Sequence, residues 1–178
     1  NNFVIEGNQF KRINIDENSR AIEIGHNCHY GTIANNVIEG VGLHGIGVDY
    51  GNNWTIANNI VYNAGGVGIW GFGLKYSSIT GNTVQYSNQL DDSRYGIQLG
   101  VTNTTNADTT NVSVVGNNTD SMYVQGTTNV FVSNNIITGE GSFPTGQYDN
   151  TNLKAVNNFI MLAENGYYNG ITFHRAIE

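Results

Sequence analysis

The feature that most constrains this chain is a six-residue pattern that keeps returning. It runs apolar, any residue, Asn or Gly, a fixed Asn, any residue, apolar. Clear copies are Ile5-Glu6-Gly7-Asn8-Gln9-Phe10, Ile33-Ala34-Asn35-Asn36-Val37-Ile38, Ile56-Ala57-Asn58-Asn59-Ile60-Val61, Ile79-Thr80-Gly81-Asn82-Thr83-Val84 and Val132-Ser133-Asn134-Asn135-Ile136-Ile137. Weaker copies span Val114–Thr119 and Ala155–Ile160. The fixed Asn is present in all seven, at 8, 36, 59, 82, 117, 135 and 158, so the intervals are 28, 23, 23, 35, 18 and 23 residues. A period near 23 with insertions and one shortened unit is the mark of a solenoid.

The residue types carry a reason. The position before the fixed Asn is always Asn or Gly, the two residues that best tolerate a left-handed backbone, so a sharp bend between two strands is expected there. The apolar residues two places to either side of the bend then point inward. The fixed Asn, stacked coil on coil, is expected to form an amide ladder, each side chain bonding the next. Each unit holds a further strand with period-two alternation: Ala21–Ile24, Gly45–Asp49, Gly68–Phe72, Gly96–Leu99, Met122–Gln125 and Gly170–Phe173. In it Ile22, Ile46, Ile69 and Ile97 face inside, with Ile24, Val48 and Leu99.

Composition agrees and excludes other classes. Asn supplies 29 and Gly 23 of 178 residues, a poor mixture for helices. A single Cys excludes an internal disulfide framework, and 7 basic against 14 acidic side chains argue against a nucleic-acid partner. No apolar run approaches the roughly 18 residues of a membrane span. With 39% hydrophobic residues the chain can build one core, so 1–178 reads as a single all-β domain. The start at Asn1, without Met or a signal pattern, and the lack of a polar cap at either end suggest flanking coils or domains of the same chain, or a homo-oligomer that covers the ends.

Three short strands per turn, a period near 23 and Asn/Gly bends describe a right-handed single-stranded parallel β-helix of about seven coils. These residues resemble the parallel β-helix repeat of the pectate-lyase-like superfamily, over nearly the whole chain. The resemblance implies an extracellular, cell-surface or virion-borne protein that acts on a polysaccharide, as glycosidase or lyase. The alternative from another class is a non-catalytic structural or glycan-binding module of a surface protein or phage tailspike. Insertions at Ser87–Arg94, Thr102–Asn111, Gly139–Asn150 and Ala163–Asn169 would leave the cylinder as loops walling a groove.

Outward positions of the third strand form two ladders at the spacing of adjacent strands. One holds Glu23, Gly47, Trp70, Gln98, Tyr123 and Thr172; the next holds Gly25, Asp49, Phe72, Gly100, Gln125 and His174. Trp70, Phe72 and Tyr123 offer flat apolar surfaces on which sugar rings stack, with Gln98 as a polar partner. Glu23 and Asp49, one coil and two residues apart, have Cα atoms roughly 8 Å from each other. Carboxyl separations of about 5–9.5 Å serve glycoside hydrolysis, one group protonating the leaving oxygen and the other acting as nucleophile or base. Both also read as solvated surface acids. Asp91-Asp92, in the first insertion, are a second acid–base candidate or a calcium site, calcium being the one cofactor considered. Lys75 and Arg94 are candidates for binding substrate or for abstracting a proton beside a uronic carboxylate. His26, Cys28, His29 and His44 lack convincing zinc spacing. A net charge of -7 favours neutral or mixed glycans over anionic ones, unless calcium bridges the carboxylates.

Overall fold

In the computed structural model the residues described are 2–13, 18–87, 95–100, 109–139, 141–142 and 150–156. They wind through three sheets in which every pairing is parallel and every strand pairs with its equivalent in the next coil. Sheet A holds Phe3–Glu6, His29–Ala34, Asn52–Ala57, Lys75–Thr80, Thr109–Val115, Thr127–Ser133 and Lys154–Val156. Sheet B holds Gln9–Ile13, Val37–Val41, Ile60–Ala64, Thr83–Gln85, Asn118–Thr119 and Ile136–Ile137. Sheet C holds Ile22–Ile24, Ile46–Asp49, Ile69–Phe72, Ile97–Gly100, Met122–Gln125 and Gly141–Ser142. The expected parallel β-helix is the fold.

The bend between sheets A and B lies where the repeat places it. Gly7, Asn35, Asn58, Gly81, Gly116 and Asn134 all have positive φ, between 53° and 70°. The fixed Asn beside each bend then turns inward, and the ladder runs unbroken from Asn8 through Asn36, Asn59, Asn82 and Asn117 to Asn135. Asn59 shows the logic. Its Oδ1 accepts from both the backbone N–H and the Nδ2 of Asn36 (3.0 and 2.9 Å), while its Nδ2 donates to Asn82 Oδ1 and to the Ile33 carbonyl (3.0 and 2.9 Å). An amide is the only small side chain that can accept twice and donate twice, so a buried polar group is fully satisfied.

Around this ladder the core is apolar. Ile33, Ile56, Ile79, Val114 and Val132 face inward before the bend; Ile38, Val61, Val84 and Ile137 face inward after it. Ile46, Ile69, Ile97 and Met122 fill the sheet C side with Val48, Leu99 and Val124, and these residues join one cluster. Burying each such side chain contributes about 1.5–3 kcal/mol, which offsets the cost of ordering the coil. The parity expected for sheet C is the one observed, with Ile24 of the first coil only partly covered.

A second set of left-handed residues interrupts each sheet A strand near its start: Tyr30, Asn53, Tyr76, Asn111, Asn129 and Asn152, all with φ between 50° and 63°. Its last three members form an exposed amide ladder, Asn152 Nδ2 donating to Asn129 (2.7 Å) and Asn129 Nδ2 to Asn111 (3.2 Å). Two insertion boundaries need correcting. The excursion expected over Thr102–Asn111 gives way to sheet A strand at Thr109, and the one expected over Gly139–Asn150 contains the short rung Gly141–Ser142, which pairs with Met122–Tyr123. A two-residue rung without apolar residues leaves no alternation to read. The Ala163–Asn169 insertion and the Gly170–Phe173 strand lie outside the described residues.

Candidate functional site

Sheet C positions the candidate side chains. Its register sets Glu23 opposite Gly47, Gly47 opposite Trp70, Trp70 opposite Gln98 and Gln98 opposite Tyr123, with Asp49 opposite Phe72 one step along. Inward Ile22, Ile46, Ile69 and Ile97 fix these strands to the core, so the alternate residues between them are held on the outer face.

The aromatic rings form a continuous belt there. The His26 ring lies 4.6 Å from Tyr50, Tyr50 meets Phe72 edge-on at 5.0 Å, Phe72 meets Trp70 at 5.8 Å, and Trp70 tilts against His44 at 4.6 Å. Tyr50 takes its place because Gly73 has no side chain: a Cβ there would sit 2.8 Å from the Tyr50 ring. Two coils on from Trp70, Tyr123 stacks on Tyr95 at 4.7 Å and its hydroxyl donates to Gln125. Burial, with Tyr95 adding to it, raises the Tyr123 phenol above its usual range. His44 is buried, and its Nδ1 accepts the Val67 N–H (3.2 Å), which places the ring proton of the neutral form on Nε2.

The two carboxyl groups sit in different surroundings. Arg20 Nη1 lies 2.6 Å from both Glu23 oxygens. Asp49 is half-buried, and its Oδ1 is shielded from solvent without a hydrogen-bond partner. Burial, reinforced by the Glu23 charge, raises the Asp49 carboxyl above the ordinary 3.8, against smaller opposing effects of His26 and Arg20. Trp70 Nε1 is a second shielded, unpartnered polar atom on this face.

The expected residues therefore divide. Glu23, Asp49, Trp70, Phe72 and Tyr123 share one face. Gln98 occupies its ladder position but is only 9% exposed, covered between the Trp70 and Tyr123 rungs. Lys75 does not join them: it opens the next sheet A strand, beyond the left-handed turn at Gly73. Asp91, Asp92 and Arg94 lie outside the described residues, as do Thr172 and His174. Sequence reading missed Arg20, Tyr50 and Tyr95, which stand just outside the alternating strand. It discussed His26 and His44 only as metal ligands. The signal available for Tyr50 was its place directly after Asp49, one residue beyond the strand. Among the described residues no group of three His, Cys, Asp or Glu side chains could hold a metal ion.

Among solved structures the chain is similar to QnrB1, titled a plasmid-mediated fluoroquinolone resistance protein, at 12% identity, covering 92% of this chain and 97% of that one. A TM-score of 0.23 is too low for that likeness to bear on fold or function. No curated protein matches. The family profile described as the right handed beta helix region matches residues 1–160, in agreement with three parallel sheets and an internal asparagine ladder, and the chain belongs to that right-handed β-helix family.

Proposed function

We propose that this β-helical domain binds a neutral polysaccharide along the outer face of sheet C and hydrolyses it with Asp49 and Glu23. One observation carries the reading: a belt of aromatic rings runs directly beside two carboxyl groups whose surroundings separate their roles. Sugar rings present apolar C–H faces to aromatic rings and hydroxyls to polar partners, so Trp70, Phe72 and Tyr50 supply stacking surfaces and the carboxyl groups supply acceptors. Asp49, with its raised carboxyl, keeps its proton to higher pH and serves as the acid that protonates the leaving glycosidic oxygen. Glu23, as carboxylate, takes the proton from the attacking water. The Cα separation set by the register, about 8 Å along the diagonal, leaves room for that water, the inverting arrangement. The excess of acids on the chain disfavours uronate polymers. An extracellular, cell-surface or virion setting is the one in which such a polymer is met.

The test is a panel of neutral polysaccharides assayed for new reducing ends. Cleavage by the wild type, abolished in both Glu23→Gln and Asp49→Asn, is the expected result. Unsaturated, ultraviolet-absorbing products would instead assign a lyase. A specific observation favours a second reading, a binding module without catalysis: the Arg20 guanidinium already bridges both Glu23 oxygens. Glycan binding without any product, unchanged in Glu23→Gln, would establish that one.

A further inference from the structure

Gly47 stands in the middle of the Ile46–Asp49 strand, and packing does not ask for a glycine there. Of the strand glycines whose surroundings are described, Gly40 and Gly100 have left-handed backbones (φ 68° and 84°). Gly31 and Gly71 are pressed by the side chains of Trp54 and Leu99, which lie 2.2 and 2.7 Å from where a Cβ would be. Gly47 has neither reason: its φ is not left-handed, and no heavy atom lies within 4 Å of its Cβ position. A glycine inside a strand weakens it and marks a place where a ligand or another backbone approaches closely. No backbone does so here.

The position is nonetheless buried. Glu23 stands across from it in one neighbouring coil and Trp70 in the other, and Asp49 lies two residues along on the same face. Trp70 reaches back toward the coil of Gly47, its ring 4.6 Å from that of His44, yet no indole atom enters the space above Gly47. The result is a recess one side chain deep, floored by backbone and walled by an indole and two carboxyl groups. Two of those walls carry shielded polar atoms with no partner, the donor Trp70 Nε1 and the acceptor Asp49 Oδ1. Unpaired buried polar atoms are costly, and a native fold keeps them where a partner arrives from outside.

We propose that the recess over Gly47 receives the hydroxymethyl arm of a hexopyranosyl unit, and that Gly47 thereby selects hexose over pentose glycans. The methylene packs on the indole, while the hydroxyl accepts from Trp70 Nε1 and donates to a carboxyl oxygen, so one group serves both unpaired atoms. A pentopyranose has no such arm and leaves them unpaired. A uronate would set its carboxylate against Glu23 and Asp49. The inference rests on the glycan-binding reading above and adds its substrate class.

The test is calorimetric titration of cellohexaose, laminarihexaose, mannohexaose and xylohexaose into the wild type, Gly47→Ala and Gly47→Ser. The expected result is preference of the wild type for a hexose oligomer, and a loss of about tenfold in that affinity in both variants, as for a filled hydrocarbon-sized pocket, with xylohexaose unchanged or improved. Gly47→Ala should melt no lower than the wild type, because the added Cβ meets nothing, so lost binding is not lost folding. Equal weakening of hexose and pentose oligomers, unaltered hexose binding in both variants, or a wild-type preference for xylohexaose would overturn the assignment of Gly47 alone. No binding of any oligomer by the wild type would overturn the glycan reading, and this inference with it.

Discussion

Trp54 fills the place of a side chain that Gly31 does not have. Its ring atoms lie 2.2 Å from where a Gly31 Cβ would begin, and beyond Gly31 the ring stacks in parallel fashion on Phe3, with centroids 6.4 Å apart. The indole Nε1 donates to the Cys28 carbonyl (2.9 Å), so the largest side chain of the core is satisfied as well as enclosed. Gly31→Ala forces Cβ into a rigid ring and is expected to cost about 1–3 kcal/mol by overpacking, read as a lowered midpoint of chemical denaturation. Trp54→Phe in the Gly31→Ala background should recover part of that loss.

The asparagine ladder should show a gradient from its middle to its end. Asn59→Ala strands the backbone N–H and amide of Asn36 together with acceptors at Ile33 and Asn82, and is expected to cost about 3–5 kcal/mol. Asn8, at the first coil, donates to Asn36 and to the Glu6 carbonyl from a solvent-exposed position, so Asn8→Ala should cost about 1 kcal/mol. Equal losses at the two sites, measured by denaturant titration, would argue against a ladder whose strength comes from burial.

This ladder was legible in the sequence because bend and amide recur at a fixed spacing, and six of the seven copies fall within the described residues. The inward set Ile22, Ile46, Ile69 and Ile97 was legible for the same kind of reason, strict alternation beside a glycine. Other features carry no comparable signal. Tyr30 and Tyr76 hold left-handed positions that Asn occupies in four other coils, and a bulky residue does not announce that conformation. Trp54 looked like one more strand residue, because the glycine that makes room for it lies 23 positions earlier in another coil. At the candidate site the ladder partners Glu23, Asp49, Trp70, Phe72 and Tyr123 could be read from period and parity. The turn residues Arg20, His26 and Tyr50 could not be assigned to the site, because their direction is set by three-dimensional packing rather than by alternation.

Asp49 should leave a mark on the pH dependence of stability. Its carboxyl is raised above 3.8, chiefly by burial. Between the ordinary value and the raised one the folded chain holds a proton that the unfolded chain has lost, so stability falls as pH rises through that window and levels off above it. Asp49→Asn removes the ionisation. The variant is expected to be more stable than the wild type at neutral pH, with the advantage fading as pH drops toward 3.8 and below, measured as unfolding midpoints across that range.

Arg20 is expected to act on Asp49 from a distance. It lowers the Asp49 carboxyl while pairing with Glu23, so Arg20→Gln should raise the Asp49 titration midpoint further, followed by carbon-13 NMR of the carboxyl group. The pair is partly exposed, so global stability should change by no more than about 1 kcal/mol.

A two-face comparison tests most directly whether the outer face of sheet C is the glycan-binding surface. Neutral oligosaccharides are titrated into the wild type, into Trp70→Ala on sheet C, and into Phe131→Ala, whose exposed ring lies on the outer face of sheet A. The expected result is loss of binding in Trp70→Ala, at least tenfold given about 1.4 kcal/mol or more for a stacked aromatic ring, with Phe131→Ala equal to the wild type. Binding that survives Trp70→Ala, or that falls only in Phe131→Ala, would contradict a glycan site on sheet C.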